Sequence, residues 1–72
     1  MPRYYFHIRD SVGLIKDTEG LELTSLRRAI EEAEASAASL AKQRKYMPTR
    51  CTIEVRDHEG LILAVVPVSR PN

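Results

Sequence analysis

Few residues in this chain of 72 could carry catalytic or metal-binding chemistry, and none of them forms a known motif. The histidines are His7 and His58, and the single cysteine is Cys51. A zinc site needs several ligands, and neither histidine has a partner at His-x-x-x-His or Cys-x-x-Cys spacing. Cys51 alternates in phase with Ile53 and Val55, which predicts a buried thiol that behaves as a small hydrophobic side chain. We therefore expect no metal site, no cofactor and no catalytic residue.

Aspartates could act as acids or bases, but glycine follows each of them at a fixed distance of three residues. These pairs are Asp10 with Gly13, Asp17 with Gly20, and Asp57 with Gly60. Asp at the first position of a turn accepts a hydrogen bond from the backbone two residues on, and Gly at the fourth position tolerates a positive φ. We interpret all of these residues as structural turns and the protein as a non-enzyme.

Two of these turns belong to a repeated segment. Residues 6–15 and 53–62 share the frame apolar-x-apolar-Arg-Asp-x-x-Gly-Leu-Ile. Each copy alternates, turns and alternates again, which is typical of a β-hairpin. The remaining turn precedes a short strand at 21–23, and this spacing predicts a three-stranded meander. If that turn also reverses the chain, the strands at 3–9 and 51–57 run parallel as central neighbours, joined by a right-handed crossover.

Between the two hairpins the apolar period becomes helical. Apolar residues recur at steps of three and four from Leu26 to Ala41, after a hydroxyl residue at 24–25 that can cap the helix. Pro48 predicts that the helix ends near Lys45. The chain is thus expected to form a single α+β domain over residues 1–72, with the element order β-β-(β)-α-β-β. Its two layers are a mostly antiparallel sheet of four to five strands and a helix on one face.

Composition narrows the class of protein. The formal net charge is +1, far from the basic balance typical of nucleic-acid binding. No apolar run approaches the roughly 20 residues of a membrane span, and no secretory signal opens the chain, so we expect a cytoplasmic protein without a membrane partner. A chain of this size buries only about 60% of its unfolded surface, and a single cysteine allows no internal disulfide. Oligomerisation is then the expected further source of stability.

The candidate interaction surface combines polar and apolar residues. Segment 61–66 is apolar throughout, and one helix covers only one of its faces. We expect one of two alternating sets to face away from the helix, beside an aromatic and basic surface on the neighbouring strands. The sets are Ile62, Ala64 and Val66, which we take as the candidate, and Leu61, Leu63 and Val65; the polar residues are Tyr5, His7, Arg9 and Arg56.

Burial of this surface in a symmetric dimer predicts a small binding module that self-associates, with another protein as a further possible partner. The alternative is that Tyr5, His7 and Arg9 bind single-stranded nucleic acid, because aromatic side chains stack on bases and arginine contacts phosphates. No RNA-binding consensus sequence is present, and polar residues are also common on an exposed strand face.

Larger stretches of the chain resemble a family of small proteins of unknown function from rhizobia and related bacteria. The resemblance rests on RYYFHIRD at 3–10, Gly-Leu-Ile at 13–15, the Ala-rich helix and Glu-Val-Arg-Asp at 54–57. It covers nearly the whole chain and implies no catalytic or binding residue. In architecture the chain also resembles HicB-type antitoxins, which implies a small toxin as partner. It has Glu-Gly-Leu-Glu-Leu at 19–23 where those proteins carry Pro-Asp-Leu-Pro-Gly.

Overall fold

The computed structural model describes residues 1–43 and 51–68, which form one helix and an open five-stranded sheet. In chain order the elements are β1 (Arg3–Asp10), β2 (Leu14–Ile15), β3 (Leu21–Glu22), α1 (Leu26–Gln43), β4 (Cys51–Arg56) and β5 (Ile62–Pro67). The predicted two-layer α+β fold and the order of its elements are confirmed. The predicted end of the helix near Lys45 lies outside the described residues.

The short strands β2 and β3 lie end to end along the same edge of β1. Ile8 pairs with Ile15 of β2, and Tyr4 pairs with Leu21 of β3. The predicted meander is therefore wrong, since β3 pairs with β1 and not with β2. The chain does not reverse at the Asp17 turn but continues in the same direction along β1.

The other edge of β1 pairs with β4, and the strand order is β2-β1-β4-β5. Strands β1 and β4 are central neighbours, as expected, but they are antiparallel, so the expectation of a parallel pair is wrong. The reason lies in the Asp17 turn: without a reversal there, β3 and β4 both run opposite to β1. Helix α1 connects these two strands, which lie on either side of β1.

The core lies between α1 and strands β4 and β5, against which the helix packs. The buried stripe of α1 is made of alanines at steps of four, each at most 7% exposed: Ala29, Ala33, Ala37 and Ala41. Facing them, Ile53 is 1% exposed and Val55 is 0% exposed. Small helix residues thus meet large strand residues, which lets the helix approach the sheet closely. Ser25 caps α1, because its Oγ accepts a hydrogen bond from the Arg28 N–H at 3.2 Å.

Candidate interaction surface

The register of the strands defines a sheet face opposite α1, which we call the outer face. Residues directly opposite each other in an antiparallel pair share a face. Tyr5 lies opposite Arg56, and His7 lies opposite Glu54. Strands β1 and β4 therefore contribute Tyr5, His7, Arg9, Thr52, Glu54 and Arg56 to the outer face. The structure brings together the polar residues that the sequence analysis placed on one surface.

Strand β5 adds Ile62 and Val65 to the outer face, because they lie opposite outer-face residues of β4. Ala64 and Val66 lie on the helix side and pack with the core, where Val66 is only 9% exposed. Their assignment to the interaction surface was wrong. The reason is a register shift near the end of β4, which inserts one extra residue into β5 and changes the alternation between Ile62 and Ala64.

Glu54 lies at the centre of the outer face and is only 5% exposed. Its Oε2 accepts a hydrogen bond from Arg9 Nε at 2.5 Å. Its Oε1 accepts two from Arg56, from Nε at 3.0 Å and from Nη2 at 2.5 Å. Burial alone would raise the pKa of Glu54, but the hydrogen bonds and positive charges of the two arginines outweigh it, so this pKa is lowered. The buried carboxylate is therefore ionised and fully paired.

In this cluster, the positive charges of Arg9 and Arg56 are largely engaged in hydrogen bonds within the protein. The Arg56 side chain is 19% exposed and also donates from Nη1 to the Gly60 carbonyl at 3.3 Å. The Arg9 side chain is 50% exposed, with Nε bonded to Glu54. Tyr5 is half-buried beside the Asp17 turn, and a Cβ added at Gly20 would approach its Cε2 to 2.9 Å. The surface is thus a paired polar network and not a continuous basic track.

Asp17 occupies the gap between β2 and β3. Its Oδ2 accepts a hydrogen bond from the Phe6 N–H of β1 at 3.1 Å, and its Oδ1 accepts from the N–H groups of Glu19 and Gly20, each at 3.1 Å. Burial alone would raise the pKa of Asp17, but these backbone hydrogen bonds outweigh it and lower the pKa. The Asp17 carboxylate therefore accepts the hydrogen bond from the Phe6 N–H that a residue of a neighbouring strand would otherwise accept.

His7 supports the same turn from the outer face. Its Nδ1 accepts a hydrogen bond from the Asp17 N–H at 3.2 Å, which requires the ring proton to be on Nε2. Burial, and then the positive charge of Arg56, lower the pKa of His7. This histidine is therefore a neutral acceptor that helps to hold the Asp17 turn against β1.

The two repeated turns differ in detail. Asp10 Oδ1 accepts hydrogen bonds from the N–H groups two and three residues on, at 2.8 and 2.9 Å. Asp57 Oδ1 accepts from those two and four residues on, at 2.9 and 3.0 Å. Among the described residues a positive φ occurs at Gly20 (71°) and Gly60 (87°). The expectation of a positive φ at Gly13 is therefore wrong, although its turn is held by aspartate as expected.

Exposed apolar side chains lie on and beside the free side of Ile62–Pro67, which we call the β5 edge. Strand β5 pairs with β4 on one side and ends the strand order on the other. Leu61 is 63% exposed, Ile62 45% and Val65 54%. Residues 61–68 contain no ionisable side chain. This surface therefore exposes apolar side chains together with backbone groups that can pair with another strand.

The residues considered for catalysis and metal binding lie apart from one another, or they are buried or hydrogen-bonded within the fold. Cys51 is buried, at 4% exposure. Over residues 1–43 and 51–68, no group of three or more His, Cys, Asp or Glu side chains could hold a metal ion. The helix within these residues is not long and apolar enough to cross a membrane.

Sequence reasoning missed two residues of this surface. Glu54 alternates with the inward residues Ile53 and Val55, which places it on the outer face but does not reveal that it is the buried centre of an ion-pair cluster. Val65 belongs to the alternating set that the sequence analysis did not take as the candidate interaction surface. The two Arg-Asp segments give no register between β1 and β4, so no sequence pattern predicts that Arg9 meets Glu54.

Comparison with known families gives one match. The family model described as "Domain of unknown function (DUF6894)" matches residues 3–69, which include every residue of the candidate surface. No curated protein and no solved structure matches the chain.

Proposed function

We propose that this chain, which belongs to the DUF6894 family, is a small non-catalytic binding module that self-associates. The observation that supports this proposal is the β5 edge. It presents exposed apolar side chains and strand backbone in one place, without a charged residue among 61–68. Exposed apolar patches on small domains are typical of protein interfaces.

The contrast with the usual protection of edge strands strengthens the proposal. Natural proteins protect exposed edges with charges, inward-pointing lysines or very short strands, because an open edge recruits other strands. Strand β5 is six residues long and has none of the charges. Its devices of this kind are Pro67, at the end of the strand, and the extra residue that the register shift inserts near its start. An edge left open in this way favours a physiological partner.

The outer-face network supports a non-catalytic role. Catalytic acids and bases need a group whose proton is free to move near neutral pH. The Glu54 carboxylate is held ionised by two arginines, and the Asp17 carboxylate accepts three backbone hydrogen bonds. Among residues 1–43 and 51–68, no buried side-chain nitrogen or oxygen lacks a hydrogen-bond partner. These groups therefore stabilise the fold, which leaves the apolar surface for binding.

Light scattering over a range of protein concentrations tests self-association. We expect a mass of twice the 8.2 kDa of one chain, falling toward one chain on dilution. Ile62→Asp and Val65→Asp should each shift the protein to the monomer, because a carboxylate on the β5 edge would be buried without a partner. Val12→Asp is the matched control, since Val12 is 89% exposed in the turn after β1. A mass of one chain at every concentration would reject the proposal.

Single-stranded nucleic acid is the second candidate partner, because Tyr5, His7 and Arg9 share the outer face. The pairing of Arg9 and Arg56 with Glu54 weakens this candidate, since it reduces the charge available to phosphates. Fluorescence anisotropy with single-stranded RNA at low salt separates the two roles. Binding that is lost in Tyr5→Ala and Arg9→Ala and weakens steeply with salt would support the nucleic-acid role. Absence of binding at micromolar protein would remove it.

A further inference from the structure

We infer that two copies of this chain join their β5 edges antiparallel, about a two-fold axis at Val65, to form one continuous sheet. This inference rests on the proposed self-association and specifies its geometry. The partner is a second copy of this chain, and the contact is made by backbone hydrogen bonds along the edge as well as by apolar side chains.

The direction of the backbone groups in β5 follows from its pairing with β4. In an antiparallel pair, alternate residues exchange hydrogen bonds with the neighbouring strand, and the residues between them point their N–H and C=O groups away from it. The Val68 N–H donates to the Cys51 carbonyl at 2.9 Å, and Val66 lies two residues before Val68 in the same register. Val65 and Pro67 therefore direct their backbone groups to the free edge.

Pro67 fits this assignment. Proline lacks an N–H and is tolerated in a sheet only where that group would point away from the neighbouring strand. Pro67 lies opposite Thr52, at a position that donates nothing to β4. The internal ladder of the sheet is thus complete with proline at this position, and the free edge has its N–H at Val65.

A two-fold axis at Val65 makes this edge complementary to itself. Each Val65 N–H donates to the Val65 carbonyl of the other copy, and the two valine side chains meet on the outer face. Pro67 then lies opposite Leu63 of the second copy and contributes only its carbonyl acceptor. An axis at Pro67 would instead require an N–H that proline does not have. An axis at Val66 would pair Val65 with Pro67 and lose the same donor. An axis at Ala64 would pair Val65 with Leu63, the residue at the register shift, whereas the axis at Val65 keeps its central pair on the regular part of the strand.

The position of α1 favours a second copy over an isolated peptide strand. A cleft between α1 and the β5 edge is lined by Glu34, Ala37, Ala38, Val66 and Pro67. Helix α1 packs on both β4 and β5. If its axis is placed over the midpoint between β4 and β5, with strands about 4.8 Å apart, it lies about 5 Å from the two-fold axis, and the two helices lie about 10 Å apart. Packed helices are separated by about 8–10 Å, so the second α1 fills the cleft that a strand alone would leave open.

Val65→Pro tests the edge pairing. It removes the N–H that points to the free edge and leaves the bonds from β5 to β4 in place, as Pro67 already does. We expect light scattering to show loss of the dimer, with circular dichroism showing a folded monomer. Val65→Thr is the matched control, because it keeps the N–H and the branched shape, and it should remain dimeric.

A disulfide test gives a readout that does not depend on how well Val65→Pro folds. A hydrogen-bonded antiparallel pair places its Cα atoms about 5.5 Å apart, within the roughly 4.4–6.8 Å that disulfides span. In a Cys51→Ala background, Val65→Cys should form a covalent dimer on mild oxidation. Val12→Cys, which is also exposed, should not.

The outcomes separate this inference from the function on which it rests. A monomeric parent rejects both. A parent dimer that persists in Val65→Pro, or that fails to cross-link through Val65→Cys, rejects the edge pairing while self-association stands. A monomeric parent whose Val65 amide signals shift on addition of an unrelated strand peptide would show that the β5 edge accepts another partner, and it would overturn the second copy as occupant.

Discussion

The two edges of this sheet are built in opposite ways. The edge formed by β2 and β3 consists of two strands of two residues each, separated by the Asp17 turn. The β5 edge is a single strand of six residues, with one extra residue inserted near its start. The first edge carries Lys16, Asp17 and Glu22, whereas the second has no ionisable residue. The first edge is thus closed against further strands, and the second is open.

In the proposed self-association, this contrast would direct a partner to one side of a chain of 72 residues. On the closed edge, a side chain replaces the strand that would otherwise pair with Phe6, so β1 offers no free donor there. Short strands and charges then discourage any added strand. On the open edge, Pro67 and the extra residue near the start of β5 limit the register in which another strand can pair. One edge is therefore available for a partner, which avoids the open-ended chains that two free edges would allow.

Among the variants that test the difference between the two edges, Asp17→Ala should have the largest effect on stability. It removes three backbone hydrogen bonds to a carboxylate and leaves the Phe6 N–H without its acceptor. We expect a loss of about 2–3 kcal/mol in the free energy of unfolding, because a buried donor left without its acceptor costs about 1–3 kcal/mol and the two bonds within the turn add less. Chemical denaturation measures it.

The matched control for Asp17→Ala is Asp57→Ala. Asp57 also accepts hydrogen bonds in a turn, but both are exposed and lie within the turn itself. Its loss should cost about 1 kcal/mol. Equal effects of the two variants would show that Asp17 acts as an ordinary turn residue and does not close an edge.

A smaller effect separates the repeated turns at the two edges. Gly60→Val should destabilise the protein by about 1 kcal/mol or more, because a β-branched residue resists the positive φ of 87° at this position. Gly13→Val should change stability by less than about 0.5 kcal/mol, because Gly13 has no positive φ and a Cβ there meets nothing within 4 Å. Thermal unfolding of both variants checks this, and similar losses would contradict the difference between the turns.

The elements of the fold could be predicted from local sequence patterns, whereas the closed edge formed by β2 and β3 could not. Period-2 alternation, an Asp and a Gly three residues apart, and a helical period are properties of neighbouring residues, so strands, turns and helix could be predicted. Whether the chain reverses at a turn depends on where the next strand pairs. The turns at Asp10 and Asp17 have the same spacing, yet only the first reverses the chain.

The interaction surface shows the same limit. The sequence indicated that β5 is apolar on both faces and that one face lacks a cover. Which residues face outward depended on the register shift beside Val55, which no pattern of apolar residues in 61–68 reveals. Glu54 was similarly visible as a charged strand residue, but its burial depends on the approach of Arg9 from another strand.

The smallest expected effect is a difference in stability between the two edges in mild acid. The pKa of His7 is lowered from 6.5 by burial and by the charge of Arg56, and Lys16 acts in the same direction, while Asp17 and Glu54 oppose them. A histidine whose pKa is lowered on folding stabilises the protein above its unfolded pKa. That contribution is lost as the pH falls below 6.5 toward the folded value.

Protonated His7 cannot accept the Asp17 N–H, so acid should loosen the closed edge first. The protection factors of the Phe6 and Asp17 amides, measured by hydrogen exchange, should fall between pH 7.5 and pH 5.5 relative to those of Val66 on β5. No ionisable side chain lies on β5, and Val66 is only 9% exposed, so its amide serves as the reference for this comparison. His7→Gln should abolish this difference, since glutamine has no charge to gain in that range. A parallel fall in protection at both edges would instead show that His7 acts on the whole fold and not on the Asp17 turn.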